Sequence, residues 1–296
     1  MKDHHLRALV QVAESNSIRA AARAMNLSQS ALTKALRELE EAVGAELLLR
    51  SYKGIEFTPA GNTLLTRARL ALSILDKARE EIRLLRGGAG VRVVMAVTPM
   101  AAALVLPRVL RDYERLQPDA EIGLTEGLLT TVLPDLFEGR LDFAVAIADA
   151  ADLPYEIDFE PLATVQPALG GRKGHPLAGA KRWCELREAK WVLNLSPGSQ
   201  GNNLLAWMTA HGIDGPRQVI RCASPLLMTE MMRRTDRICI GPAQLFHDAL
   251  FGHGIVCFDV KPLPPPMTLG LLKLRGVPLS SAAKPLAALF ARYLRA

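Results

Sequence analysis

Few residues in this chain are spaced to make or break bonds, and several are spaced to grip a polyanion. His4 and His5 adjoin at the start, and His175, His211, His247 and His253 show none of the short spacings that gather ligands around a metal. Cys184, Cys222, Cys239 and Cys257 lie in apolar stretches with no CxxC pair, which reads as free thiols in a reducing compartment. Gly198-Ser199-Gln200-Gly201 sets a serine near glycines without the spacing of a nucleophile elbow. Gly87-Gly88-Ala89-Gly90 is glycine-rich but follows a helical pattern rather than a strand, so it does not read as a phosphate loop. No enzyme, metal or cofactor is expected from these residues.

The polar residues between Ser28 and Arg37 are more informative. Gln29, Ser30, Thr33, Lys34 and Arg37 project together from the first half of a helical pattern, and such side chains bond base edges and phosphates. Its other side carries Leu32, Leu36, Leu39 and Val43 at steps of four, three and four, the expected buried face. An exposed polar helix face is by itself usually only solvated, so the neighbouring elements decide.

Those elements form a recognisable set. Leu6, Leu9, Val10, Val12 and Ala13 give a first amphipathic helix, broken at Ser15-Asn16-Ser17. Ser17 is positioned to cap a second helix through Ile18, Ala21, Ala22 and Met25, and Ser28 to cap the third after a short turn. Two helices joined by a tight turn, the second starting with polar and basic residues, predict DNA binding. Two apolar runs around Ser51-Tyr52-Lys53-Gly54 then predict a hairpin, with Arg50 and Lys53 as a basic wing. Residues 1–86 hold 14 Lys and Arg against 10 Asp and Glu, most of the chain's net charge of +6. The resulting DNA-contact set is Ser28, Gln29, Ser30, Thr33, Lys34, Arg37, Arg50 and Lys53.

The stretch SIRAAARAMNLSQSALTKALRELEEAVGAELLLR, followed by FTPAG, resembles the DNA-binding segment of LysR-type transcription regulators, nearly continuously over residues 4–61. That family commonly has Pro where Ser30 stands, and Ser and Arg where Thr33 and Lys34 stand. These departures bear on base preference. The resemblance implies a site of dyad symmetry of the T-N11-A kind, a linker helix that dimerises, and often a tetramer.

Thr58-Pro59 opens a long helical pattern to about Arg86. Leu64, Ala68, Ala71, Leu75, Ala78, Ile82 and Leu85 form a heptad seam that implies pairing with a second helix, hence a dimer. From Val91 strands alternate with helices, which predicts a mainly parallel sheet and then a second set, two α/β lobes in all. EGRLDFAVA and RKGHPLA resemble stretches of the same family's effector domain. The expected organisation is multidomain: a winged helix-turn-helix over 1–58, a linker helix over 59–86 and a hinge over 87–90. Residues 91–163 with 267–296 make the first lobe, with the last strand and helix returning to it, and 164–266 make the second. The lobes have the Rossmann-like, periplasmic-binding-protein-like pattern.

Ligands of such sheets sit beyond the carboxyl ends of strands, where helices begin. The candidates are Thr98, Pro99, Met100, Gly127, Leu128, Ser196, Ser199, Gln200 and Ser224. Hydroxyls and amides at helix starts suit a carboxylate, and Met100, Leu128 and Leu129 supply an apolar wall, so a small organic acid, aromatic ones included, is the expected effector. Glu126 beside them would repel an anion. The serines and threonines can equally be plain helix caps. The start MKDHHLRALV lacks a signal-peptide core, and no apolar run reaches membrane-spanning length, so a cytoplasmic protein is expected. A cytosolic solute-binding protein or α/β enzyme fused to a helical dimerisation segment is the competing class. It leaves residues 1–86 unexplained, and salt-dependent duplex binding separates the two.

Overall fold

The computed structural model describes residues 1–51, 54–86 and 90–295, and the side chains of Arg50, Ser51 and Gly54 are outside that description. The chain divides into two compact units, one made chiefly of residues 1–89 and the other of most of residues 90–296.

The first unit contains α1 (Asp3–Ser15), α2 (Ile18–Ala24), α3 (Gln29–Val43), an antiparallel hairpin of β1 (Leu48–Ser51) and β2 (Gly54–Phe57), and α4 (Pro59–Leu85). Asn16 ends α1 in the left-handed region, and Ser17 at once caps α2 by accepting from the Ala20 N–H at 3.4 Å. Ser28 caps α3 in the same way, accepting from the Ala31 N–H at 3.1 Å. Leu6, Leu9, Val12, Leu32, Leu36 and Leu39 fill the core, and Ala21 and Ala22 pack against it. Val43, expected in the buried row, is 39% exposed because α3 ends there and Gly44 turns the chain away with φ 68°. Glu40 holds the hairpin in place, its carboxylate accepting from the Leu47 N–H at 2.8 Å and the Leu48 N–H at 3.3 Å.

Helix α4 is capped as its sequence predicts: Thr58 accepts from the Gly61 N–H at 2.9 Å and Pro59 occupies the first turn. Its buried row differs from the heptad seam. Gly61, Leu65, Ala68 and Leu72 face the unit's own core, and a methyl group on Gly61 would lie 2.1 Å from the Leu47 carbonyl oxygen. Of the seam residues Ala68 alone is buried, while Leu75, Ala78, Ile82 and Leu85 are exposed. The first half of the helix thus serves its own unit.

The second unit holds two five-stranded mixed sheets. The first contains β3 (Val91–Val97), β4 (Ala120–Glu126), β5 (Phe143–Ala148), β6 (Ile157–Val165) and β12 (Met267–Leu274), in the order β4-β3-β5-β12-β6. The second contains β7 (Pro167–Arg172), β8 (Lys190–Leu193), β9 (Gln218–Arg221), β10 (Arg237–Pro242) and β11 (Ile255–Phe258), in the order β11-β7-β10-β8-β9. The expectation of mainly parallel sheets is only half right. β3 runs parallel to β4 and β5, and β8 parallel to β9 and β10, but β12 and β7 pair antiparallel to both their neighbours. The last strand does return to the first sheet.

The helices of this unit are α5 (Pro99–Leu104), α6 (Leu106–Leu116), α7 (Leu129–Phe137), α8 (Gln200–Ala210), α9 (Pro225–Arg234), α10 (Ala243–His247) and α11 (Ala283–Arg295). Helices α5 and α6 are separate rather than continuous, because Pro107 has no N–H to continue the ladder and its ring crowds the preceding turn. Helix α11 closes the first sheet: Phe290 meets Phe143 edge-to-face at 6.2 Å, and the buried Tyr113 hydroxyl donates to the Ala282 carbonyl at 3.0 Å. Leu169, Trp191, Leu193, Leu204 and Ile238 form the core of the second lobe.

Candidate functional site

On α3, Gln29, Ser30, Lys34 and Arg37 are exposed and Thr33 is half-buried, so the polar face stands as its sequence predicts. The roles within it differ. Ser28 is committed to capping, and its hydroxyl also lies 2.9 Å from that of Ser30, which ties both to the helix start. Lys34 Nζ stands 3.8 Å from Glu38, whose other oxygen is 3.2 Å from Nε2 of the buried His5. Arg37 meets no carboxylate among the described residues and is the freest cation of the face. Arg19 and Arg23 on α2 were not picked out by the sequence reading. Both are exposed, with no carboxylate partner among the described residues. Their i,i+4 spacing in the helix before the turn was the available signal. The backbone of Arg50 pairs with Ile55 in the hairpin, and Lys53 falls outside the described residues.

His5 is 4% exposed, and burial, reinforced by the adjacent His4, holds its pKa below the usual 6.5 against the opposing pull of Glu38. Its Nδ1 has no hydrogen-bond partner among the described residues, so a proton there would be buried unpaired.

The second unit contains a cavity of about 290 Å³ lined from both sheets. Thr98, Pro99, Met100, Gly127, Leu128, Ser196, Ser199 and Gln200 all line it, as does Glu126. Ser224 does not. Its neighbours Ala223 and Pro225 do, and its hydroxyl caps α9 by accepting from the Leu227 N–H at 3.4 Å. The plain cap reading also holds for Ser199, which accepts from the Asn202 N–H and donates to the Asn194 carbonyl at 2.6 Å. Thr98 is different: it is 2% exposed, makes no side-chain cap bond, and its Oγ1 has no partner among the described residues. Gln200 Nε2 is likewise buried and unpartnered.

The rest of the wall was missed from sequence. It comes from residues far apart in the chain, including Ile147, Met228, Met232, Phe246, Phe251 and Met267. The two sides meet over the cavity, since a methyl group on Gly198 would lie 3.7 Å from Leu129 Cδ1. Cys239 belongs to this wall, and burial pushes its thiol up to about 12, so it acts as an apolar surface. Among the described residues no group of His, Cys, Asp and Glu is arranged to hold a metal, and no helix is long and apolar enough to cross a membrane.

Both units match known families. Residues 4–62 match the bacterial regulatory helix-turn-helix proteins of the lysR family, and residues 86–295 match the LysR substrate binding domain. The transcriptional regulator GbpR of Azospirillum brasilense is 30% identical over 245 residues, covering 81% of this chain and 71% of its own. Among solved structures, ArgP from Mycobacterium tuberculosis superposes with a TM-score of 0.74 at 19% identity, over 98% of this chain and 96% of its own. CbnR, in a complex with its target DNA, gives 0.66 at 20% identity over 100% and 99%. The chain belongs to the LysR family: it is a DNA-binding transcription regulator with an effector-binding domain.

Proposed function

We propose that this regulator reads a dyad-symmetric operator through α3 and is controlled by a small organic acid held between its two α/β lobes. The observation that carries the DNA part is the exposed face of α3 behind a capped, close-packed α2. Gln29, Ser30, Thr33 and Lys34 are placed to meet base edges, while Arg37, Arg50 and Lys53 hold phosphates. Arg19 and Arg23 extend the phosphate grip. Ser28 acts by capping the helix.

Residues 1–58 are the winged helix-turn-helix, 59–86 the linker and 87–90 the hinge, of which 87–89 fall outside the described residues. The lobes are 91–163 with 267–296, and 164–266. The exposed Leu75, Ala78, Ile82 and Leu85 on α4 support a dimer through the linker, and two dimers would give a tetramer. Free thiols and the family's role support work in the reducing cytoplasm.

The lobes act by binding rather than turnover. Ser199, the serine set near glycines, spends its hydroxyl on Asn194 and Asn202. A ligand in the cavity changes transcription to the extent that it binds two arrangements of the protein unequally.

Selection of genomic fragments on the full chain tests the reading, with Arg37→Ala as control. Recovery of dyad-symmetric sites, the same sites at lower yield with the variant, is the expected result. Fragments without common sequence, recovered equally by both proteins, would defeat it.

A further inference from the structure

If the pocket between the lobes holds the effector, as proposed above, its wall narrows the effector's chemistry. Among the described residues lining it, Glu126 is the one carboxyl side chain, and there is no Lys, Arg or His. Glu126 is exposed, so water screens it. The enclosed polar groups are uncharged hydroxyls and amides. Among the described residues Thr98 Oγ1 and Gln200 Nε2 are buried without partners, a state that costs free energy until a ligand oxygen accepts from them. Gln200 opens the eleven-residue α8, whose first-turn N–H groups have no partner within the helix, and Ser199 takes only that of Asn202. Thr98, on a different sheet, is an independent sign that an acceptor belongs there.

These donors and the positive end of α8 can meet one negative charge. A second carboxylate would be buried with no cation to pair it. An ammonium would face donors and a helix N-terminus, with only the hydrated Glu126 in compensation. One side of the remaining wall is apolar and adaptable, with Met228, Met232 and Met267 beside Ile147, Phe246 and Phe251, while Thr130, Thr131, Asn194, Ser196 and Thr229 add uncharged polar groups to the rest.

We propose that the effector is a monocarboxylate with an apolar body, its head at Thr98 and Gln200 and its hydrocarbon among the methionines. Dicarboxylates and amines are disfavoured by the same wall.

A matched probe set tests this on the full chain: hexanoate, adipate, hexanol and hexylammonium at equal concentration and ionic strength, read by thermal shift and calorimetry. Hexanoate alone is expected to raise Tm clearly. Thr98→Val removes a hydroxyl that is buried without a partner among the described residues, so it should hold or raise the ligand-free Tm and weaken hexanoate by about tenfold. Adipate or hexylammonium matching hexanoate, or no probe shifting Tm, overturns the proposal. Met228→Trp and Met232→Trp, which fill the cavity, separate the two ways of failing. If they abolish binding while adipate is preferred, the pocket stands and the ligand class is wrong. If hexanoate binds both variants as it binds the native protein, the effector site lies elsewhere and both readings fall.

Discussion

Arg37 and Gln29 share one helix face but should fail differently when replaced. A phosphate contact carries no sequence information, so Arg37→Ala should weaken binding to every duplex alike and lower the slope of log K against log salt by about 1. Gln29→Ala should instead relax preference at one base step, at a cost of about 1–3 kcal/mol on the preferred duplex only. Anisotropy on paired duplexes over a salt series separates the two. His5 makes a pH prediction at the same scale. Its folded pKa lies below 6.5, so below pH 6.5 the unfolded chain takes up a proton that the folded one refuses. Stability of the helix-turn-helix should be full above that pH and decline as pH falls toward the lowered folded pKa. His5→Leu should flatten this decline in pH-dependent thermal melts. An upward trend in stability on acidification would contradict the burial argument. The α3 face was readable because Leu32, Leu36 and Leu39 fix which side is buried, leaving the opposite side exposed. Thr98 was readable as a position but not as a role, since a cap and an orphan hydroxyl have the same sequence.

At the scale of elements, α4 carries two apolar rows, one buried in its own unit and one exposed. Gly61 in the first row abuts the Leu47 carbonyl, so Gly61→Ala should destabilise the first unit by about 1–3 kcal/mol or more, seen as a lowered thermal transition. In the second row, Leu75→Glu with Ile82→Glu alters side chains already exposed in the single chain. The double variant should remain folded by circular dichroism yet sediment as a smaller species; unchanged sedimentation would remove the seam from the assembly. The heptad spacing was legible, but period alone cannot tell a row that faces its own domain from one that faces a second copy. Strand β6 was not legible at all. Asp158, Glu160 and Pro161 interrupt its apolar pattern, and they are tolerated because β6 is an edge strand with a register shift opposite Gly270.

For the whole molecule, the strand-helix alternation sufficed for two lobes, and the strand ends sufficed for half of the pocket. The other half could not be read, because Ile147, Phe246 and Met267 converge only after the sheets have folded and nothing in their local spacing marks them. The antiparallel β12 and β7 were hidden for a related reason, since a buried strand reads the same in either direction. The central claim is that the exposed face of α3 reads DNA by sequence. Its most direct test is anisotropy of the full chain with a labelled duplex from upstream of its own gene, against a scrambled duplex, from about 50 to about 200 mM salt. The account predicts tight binding to the native duplex alone, falling steeply with salt and less steeply for Arg37→Ala. Equal and weak binding to both duplexes, unchanged by Arg37→Ala, would contradict it.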